Sequence, residues 1–165
     1  METKIIRGDV IKDKIFSEVK ADVAGLVKNS HKAPGIAFIG FQCVPLAKYN
    51  IPLHVQTARA MGFRVFTEIV PNDATEEAVF EMIDDLNDND VVHAIVLLQP
   101  LPEHLNPVRI VNRIDPAKEV EGFHPVNMTC TMIPDIETGR YPMCLPEALF
   151  EMFSPLGGTT RACRR

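Results

Sequence analysis

Between residues 36 and 98, three apolar runs alternate with helical segments, and this β-α-β-α-β order constrains the fold more than any other feature of the chain. Ile36-Ala37-Phe38-Ile39-Gly40-Phe41 follows Pro34-Gly35 and reads as a buried strand. Arg64-Val65-Phe66-Thr67-Glu68-Ile69-Val70 reads as a second strand, closed by a Pro71-Asn72-Asp73 turn. The third, Val91 to Leu98, has almost no polar residue, the pattern of a central parallel strand covered on both faces. Parallel strands need crossover helices, so the expected fold is a three-layer α/β/α domain with a mostly parallel sheet.

The helices carry their own signals. From Asp9 to about Asn29, Val10, Ile11, Ile15, Val19, Val23, Leu26 and Val27 fall at helical spacing, with Asp9 as N-cap. A later helix is capped by Thr75 or by Asp73, which has capping-box spacing to Glu76, and runs through Leu86 with Val79, Ile83 and Leu86 inward. At 165 residues the chain fits one domain with a sizeable core.

Charge and cysteines exclude several functions. Net charge is −5 and the basic residues form no stripe, so no nucleic-acid partner is expected. The apolar run Ala94–Leu98 is far shorter than the roughly 20 residues of a membrane span, and the first nine residues lack a signal-peptide core. No membrane contact is expected, and the location expected is cytoplasmic. Cys43, Cys130, Cys144 and Cys163 stand far apart with no C-x-x-C pair, which predicts buried or partly buried free thiols and no metal site. The acidic stretch Asp84 to Asp90 lacks the glycine and glutamate of a calcium loop and reads as a solvated helix end.

Two segments carry the chemistry. Leu98-Gln99-Pro100-Leu101-Pro102 ends the third strand, and Lys118-Glu119-Val120-Glu121-Gly122-Phe123-His124-Pro125-Val126-Asn127 follows it. Loops at the carboxyl ends of parallel strands are where α/β folds bind ligands. Prolines there make a rigid wall, because each fixes φ and lacks an N–H. A flat heteroaromatic ligand suits such a wall; so does plain core packing.

Together these segments resemble the methylenetetrahydrofolate dehydrogenase/methenyltetrahydrofolate cyclohydrolase family, with its V-Q-L-P-L-P strand end and its K-D-V-D-G-F-H-P-V-N loop. The run Gly122 to Asn127 is identical to the family's at every position, and the resemblance extends from Ile5-Ile6-Arg7-Gly8 to about Phe153. It implies an enzyme of tetrahydrofolate one-carbon metabolism, oxidoreductase and cyclohydrolase (a hydrolase), acting on a tetrahydrofolate derivative. Residues 1–153 are then the substrate-binding catalytic domain, and 154–165 a disordered tail or truncation product. Full-length relatives continue into a Rossmann-type domain for NAD or NADP. No G-x-G-x-x-G occurs here, so no cofactor-binding residue is expected in this chain. Besides the folate, a second copy in a homodimer or a separate dinucleotide-binding chain is the protein partner expected.

Laid on the family pattern from Pro34-Gly35, Pro45 keeps the family's proline, and Ala47, Asn50 and His54 stand where the family has serine, tyrosine and lysine. The tyrosine packs on the folate and the lysine handles protons, so Asn50 is a candidate substrate contact and His54 a candidate catalytic acid/base. A helix-start histidine without a catalytic part is the alternative. Leu98 takes the place of the glutamine beside the lysine, and Gln99, one residue along, points to the opposite face. Glu121 stands for the aspartate that holds the pterin, where a carboxylate accepts paired N–H groups; a loop-capping acid is the other reading. Leu101 and Pro102 match pterin-contacting positions or pack the wall. Met143-Cys144-Leu145-Pro146 replaces P-C-T-P. His124 is expected to order its loop, and His31, His93 and His104 to be structural.

Pro52 disturbs the helix that the family starts near Pro45, since an interior proline costs roughly 3 kcal/mol. The expected adjustment is a later start, with Asn50 as cap and Pro52 in the first turn. With these replacements, a folate enzyme using a different base, a non-catalytic folate binder and a fragment all remain open.

Overall fold

The computed structural model describes residues 5–30, 32–42, 47–133 and 141–153; for Ala47, Lys48 and Cys130 it describes the backbone alone. His31, Cys43, Pro45, Cys163 and the 154–165 segment lie outside the described residues. In chain order the elements are α1 (Gly8–Ser30), β1 (Gly35–Phe41), α2 (Ala47–Ala60), β2 (Arg64–Val70), α3 (Glu76–Asp88), β3 (Ala94–Leu97), α4 (Pro107–Arg113), α5 (Pro125–Met132) and α6 (Cys144–Phe153).

The three strands are parallel, in the order β2-β1-β3. This corrects the expectation that the third strand is central. β1 is central, because it is the strand whose side chains are apolar and covered on both faces. Ala37, Ile39 and Phe41 pack with Val79, Ile83 and Leu86 of α3 and Ile110 and Val111 of α4. Phe38 takes the other face, where α2 lies across β1 and β2. The regular part of β3 is shorter than expected, because Asn89 turns the chain: its carbonyl accepts the Val92 N–H at 3.0 Å and its side-chain oxygen that of Val91 at 3.1 Å. On the outer edge of β3, Ile95 bridges in parallel to Glu119.

α2 departs from the expected late start. It is helical from Ala47, Asn50 lies inside it, and Pro52 is an interior residue. The proline removes one N–H near the helix start, which costs free energy. Burial of Ile51 and Ala58, two turns apart on one face, offsets that cost and keeps the early turns helical. The helix ends in a Schellman motif: Gly62 N–H bonds the Arg59 carbonyl and Phe63 N–H that of Ala58, with Gly62 at φ 96°.

Other ends differ by a residue or in the choice of cap. α1 begins one residue before Asp9, whose carboxylate pairs with Arg7 instead of capping. Only Val23 of its stripe is buried, Ile11, Ile15 and Val19 are half-buried, and Val10, Leu26 and Val27 are exposed. Thr75 caps α3 by accepting the Ala78 N–H at 3.2 Å, and Glu76 reaches away to Asn106 N–H at 3.1 Å. At the acidic end of α3, Asp84 forms a two-pronged ion pair with Arg113. The Lys118 ammonium donates to the carbonyls of Leu86, Asn87 and Asn89. A cation over the last free carbonyls of a helix complements its dipole.

Candidate ligand site at the carboxyl end of the sheet

The segment after β3 carries the prolines. Leu98 N–H bonds the Ile39 carbonyl at 2.9 Å, the Gln99–Pro100 peptide is cis, and Leu101 and Pro102 are half-buried. Leu101 packs against the core cluster, while Pro102 offers its carbonyl to Leu105 N–H at 3.0 Å. A short turn then leads to Asn106, whose side chain caps α4 through the N–H groups of Val108 and Arg109. Of the two roles left open for Leu101, its contacts supply the packing role.

The loop from 118 to 127 is organised around Glu119, which is 3% exposed. Its carboxylate accepts the N–H groups of Glu121 at 2.8 Å, Gly122 at 3.1 Å and His124 at 3.0 Å, and the Asn127 side-chain amide at 3.2 Å. A buried charge needs such a set of donors to offset its lost hydration. Asn127, itself fully buried, also donates to the carbonyls of Pro116 and Glu119 at 2.9 Å. His124 caps α5 by accepting Val126 N–H on Nδ1 at 3.2 Å, and Pro125 fills the first helical position.

Gly122 has φ 78°, and a Cβ there would lie 2.5 Å from the Met143 nitrogen, so no other residue fits without displacing backbone. Gly122, His124, Pro125 and Asn127 of the G-F-H-P-V-N run thus each have a folding role. The loop-capping acid is Glu119, which sequence reasoning did not single out. Alternating acids at 119 and 121 gave no signal as to which one receives the amides.

Glu121 makes a different contact. Its Oε2 accepts the Leu97 N–H at 3.2 Å, at the last residue of β3. Burial raises its carboxyl to a pKa of about 7; the Leu97 hydrogen bond opposes the rise, and the nearby Glu119 charge adds to it. Its backbone carbonyl accepts Cys144 N–H at 3.1 Å, which ties the start of α6 to the loop. The Cys144 thiol is free, as expected, in a residue that is exposed where a buried or partly buried one was expected; what burial the sulfur has and the Glu121 charge push its pKa up. Next to it, Met143 N–H bonds the Thr131 hydroxyl at 2.8 Å.

The remaining candidates lie on the sheet face towards α2. His54 is exposed, its ring stacked on Phe38 of β1. Asn50 is half-buried one helical turn earlier, on the same side of the helix. Phe38 is paired in register with Val96, so Leu98, two residues on, shares the face that carries Phe38 and His54. Asn50, His54 and Leu98 thus share one face, whereas the Glu121 carboxyl lies along the outer edge of β3, on the Leu97 N–H. Among the described residues no hydrogen bond joins His54 to Glu121. Phe38 was legible as a strand residue but not as the backing of His54, a contact that only the packing of α2 creates. His93 accepts Gly35 N–H at 3.0 Å and His104 bonds the Ala74 carbonyl at 3.0 Å, both in framework contacts. A separate open cavity of about 370 Å³, lined by Phe16, Lys20, Gln56 and Met61 among others, lies between α1 and the far end of α2 and contains no candidate residue.

The sequence model of the family described as tetrahydrofolate dehydrogenase/cyclohydrolase, catalytic domain, matches residues 6–121. The bifunctional protein FolD of Desulfosudis oleivorans is 34% identical over 160 residues, covering 97% of this chain and 52% of that protein. That of Methanosarcina mazei is 38% identical over 148 residues, covering 90% and 50%. The crystal structure of the Trypanosoma brucei methylenetetrahydrofolate dehydrogenase-cyclohydrolase, complexed with NADP and an inhibitor, superposes with a TM-score of 0.86 at 28% identity, over 96% of this chain and 53% of that one. The chain spans about half the length of the curated relatives it matches.

Proposed function

The chain belongs to the tetrahydrofolate dehydrogenase/cyclohydrolase catalytic-domain family, and on that premise we propose that it holds a reduced folate at the carboxyl end of its sheet as part of one-carbon metabolism. The observation that carries the reading is the Glu121 carboxyl, held by one oxygen to Leu97 N–H beside a proline wall. The second oxygen has no hydrogen bond among the described residues. A carboxylate fixed on one side and open on the other suits the adjacent N–H donors of an aminopterin ring. Leu98, Pro102 and Asn50 would line the site, with Leu101 supporting the wall from the core side.

Calorimetric titration with tetrahydrofolate tests the proposal. Binding is expected in the wild type, with at least a tenfold loss in Glu121→Ala. No heat at millimolar ligand would remove it.

Within the same reading, His54 is the candidate acid/base for cyclohydrolysis, in which water adds to a cationic amidinium carbon and a proton leaves. Its position on the helix face over the sheet, at the place of the family lysine, favours this role. Loss of methenyltetrahydrofolate absorbance above the buffer rate, abolished in His54→Ala, would support it; an unchanged rate in that variant would end it. The NADP belongs to the trypanosome complex. Without a G-x-G-x-x-G here, no residue of this chain is assigned to a dinucleotide; a second copy in a homodimer or a separate dinucleotide-binding chain is the proposed protein partner.

A further inference from the structure

The His54 imidazole lies on the Phe38 ring with centroids 5.7 Å apart and planes inclined by 26°, an offset stack. Phe38 is 4% exposed, while His54 is open to solvent. One side of the imidazole therefore meets a buried ring of the central strand, while the residue as a whole is exposed. We propose that His54, backed by Phe38, is a stacking platform for a flat heteroaromatic ring, the pterin if the folate reading above, on which this inference rests, is right.

The surroundings fit a platform. The sheet face that Phe38 shares with Leu98 is apolar, which favours the π-face of a ligand over its polar edge. Asn50, half-buried, lies one turn away on the same side of α2, and the Glu121 carboxyl holds the Leu97 N–H on the outer edge of β3. Stacking uses the face of the ring and needs no proton. The platform therefore predicts that a phenyl ring will bind the ligand as well as an imidazole does, while turnover, which needs the imidazole if His54 is also the acid/base, is a separate readout.

Tetrahydrofolate titrations of the full 165-residue chain decide the matter, with His54→Phe, His54→Ala and His54→Gln compared and thermal melting used to check each fold. We expect His54→Phe to keep its Kd within about threefold and both ringless variants to weaken binding by roughly threefold to tenfold. Gln keeps a hydrogen-bonding group, so it separates a lost ring from lost polarity even if the alanine variant melts early. Wild-type binding matched by both ringless variants would overturn the platform and leave the folate reading standing. Weakening in His54→Phe equal to that in His54→Ala would also overturn it, in favour of a polar contact between the imidazole and the ligand. No binding by the wild type would overturn the platform and the folate reading together.

Discussion

The Glu121 carboxyl accepts the Leu97 N–H at 3.2 Å, two residues beyond the point where the Ile95 N–H bonds the Lys118 carbonyl at 2.7 Å. A side chain thus continues the ladder on the outer side of β3 after the backbone has turned away. Past that point the Glu121 carbonyl accepts the Cys144 N–H, so the loop leaves β3 towards the start of α6.

Placing that carboxyl in partial burial makes stability depend on pH. Its folded pKa, about 7, stands above the ordinary 4.5, so the folded protein holds the extra proton between those values. The contribution is full below about 4.5, declines as pH rises and is gone above about 7. Urea denaturation should show the wild type losing on the order of 2 kcal/mol relative to Glu121→Gln between pH 5 and 8, an amount reduced for partial exposure. Parallel pH profiles for the two proteins would contradict the assignment.

Glu119 is the larger structural commitment. Removing its carboxylate leaves the N–H groups of Glu121, Gly122 and His124 without their acceptor inside a buried loop. Glu119→Ala should cost about 3–5 kcal/mol in denaturant unfolding, more than any single exposed substitution nearby. A loss below about 1 kcal/mol would mean that the loop does not depend on this acid.

Gly122→Ala combines a left-handed backbone with a collision against Met143. We expect at least about 2 kcal/mol of destabilisation. Gly25→Ala on α1, where nothing lies within 4 Å, should gain up to about 1 kcal/mol. Thermal melts of the two variants moving in the same direction would refute the contrast.

Pro52→Ala restores an N–H to the interior of α2 and should raise stability by about 1–2 kcal/mol, less than the full interior penalty because the site is near the helix start. A melting temperature at or below that of the wild type would show that the helix has already relaxed around the proline.

These cases mark what the sequence could reveal. Periodicity located β2 at its observed ends, and α1 to within a residue at each end, because apolar spacing is a local property. The loop's family resemblance was also written in consecutive residues. Strand order was not legible: Ile36–Phe41 and Val91–Leu98 are both continuous apolar runs, and pairing on both sides of β1 decides which is central. Pro52 argued locally for a late helix start, and burial of Ile51 and Ala58 outweighed it. The division of labour between Glu119 and Glu121 depends on how the chain turns through Gly122, and the stack of His54 on Phe38 on how α2 lies on the sheet.

The central claim, that ionised Glu121 is the anchor for a reduced pterin, is tested most directly by titrating tetrahydrofolate at pH 6 and pH 8 in the wild type and Glu121→Gln. With the carboxyl titrating at about 7, wild-type Kd should be roughly tenfold lower at pH 8 than at pH 6, and the variant weaker and insensitive to pH. Equal wild-type affinity at both values, or a variant that binds as the wild type does, would contradict it.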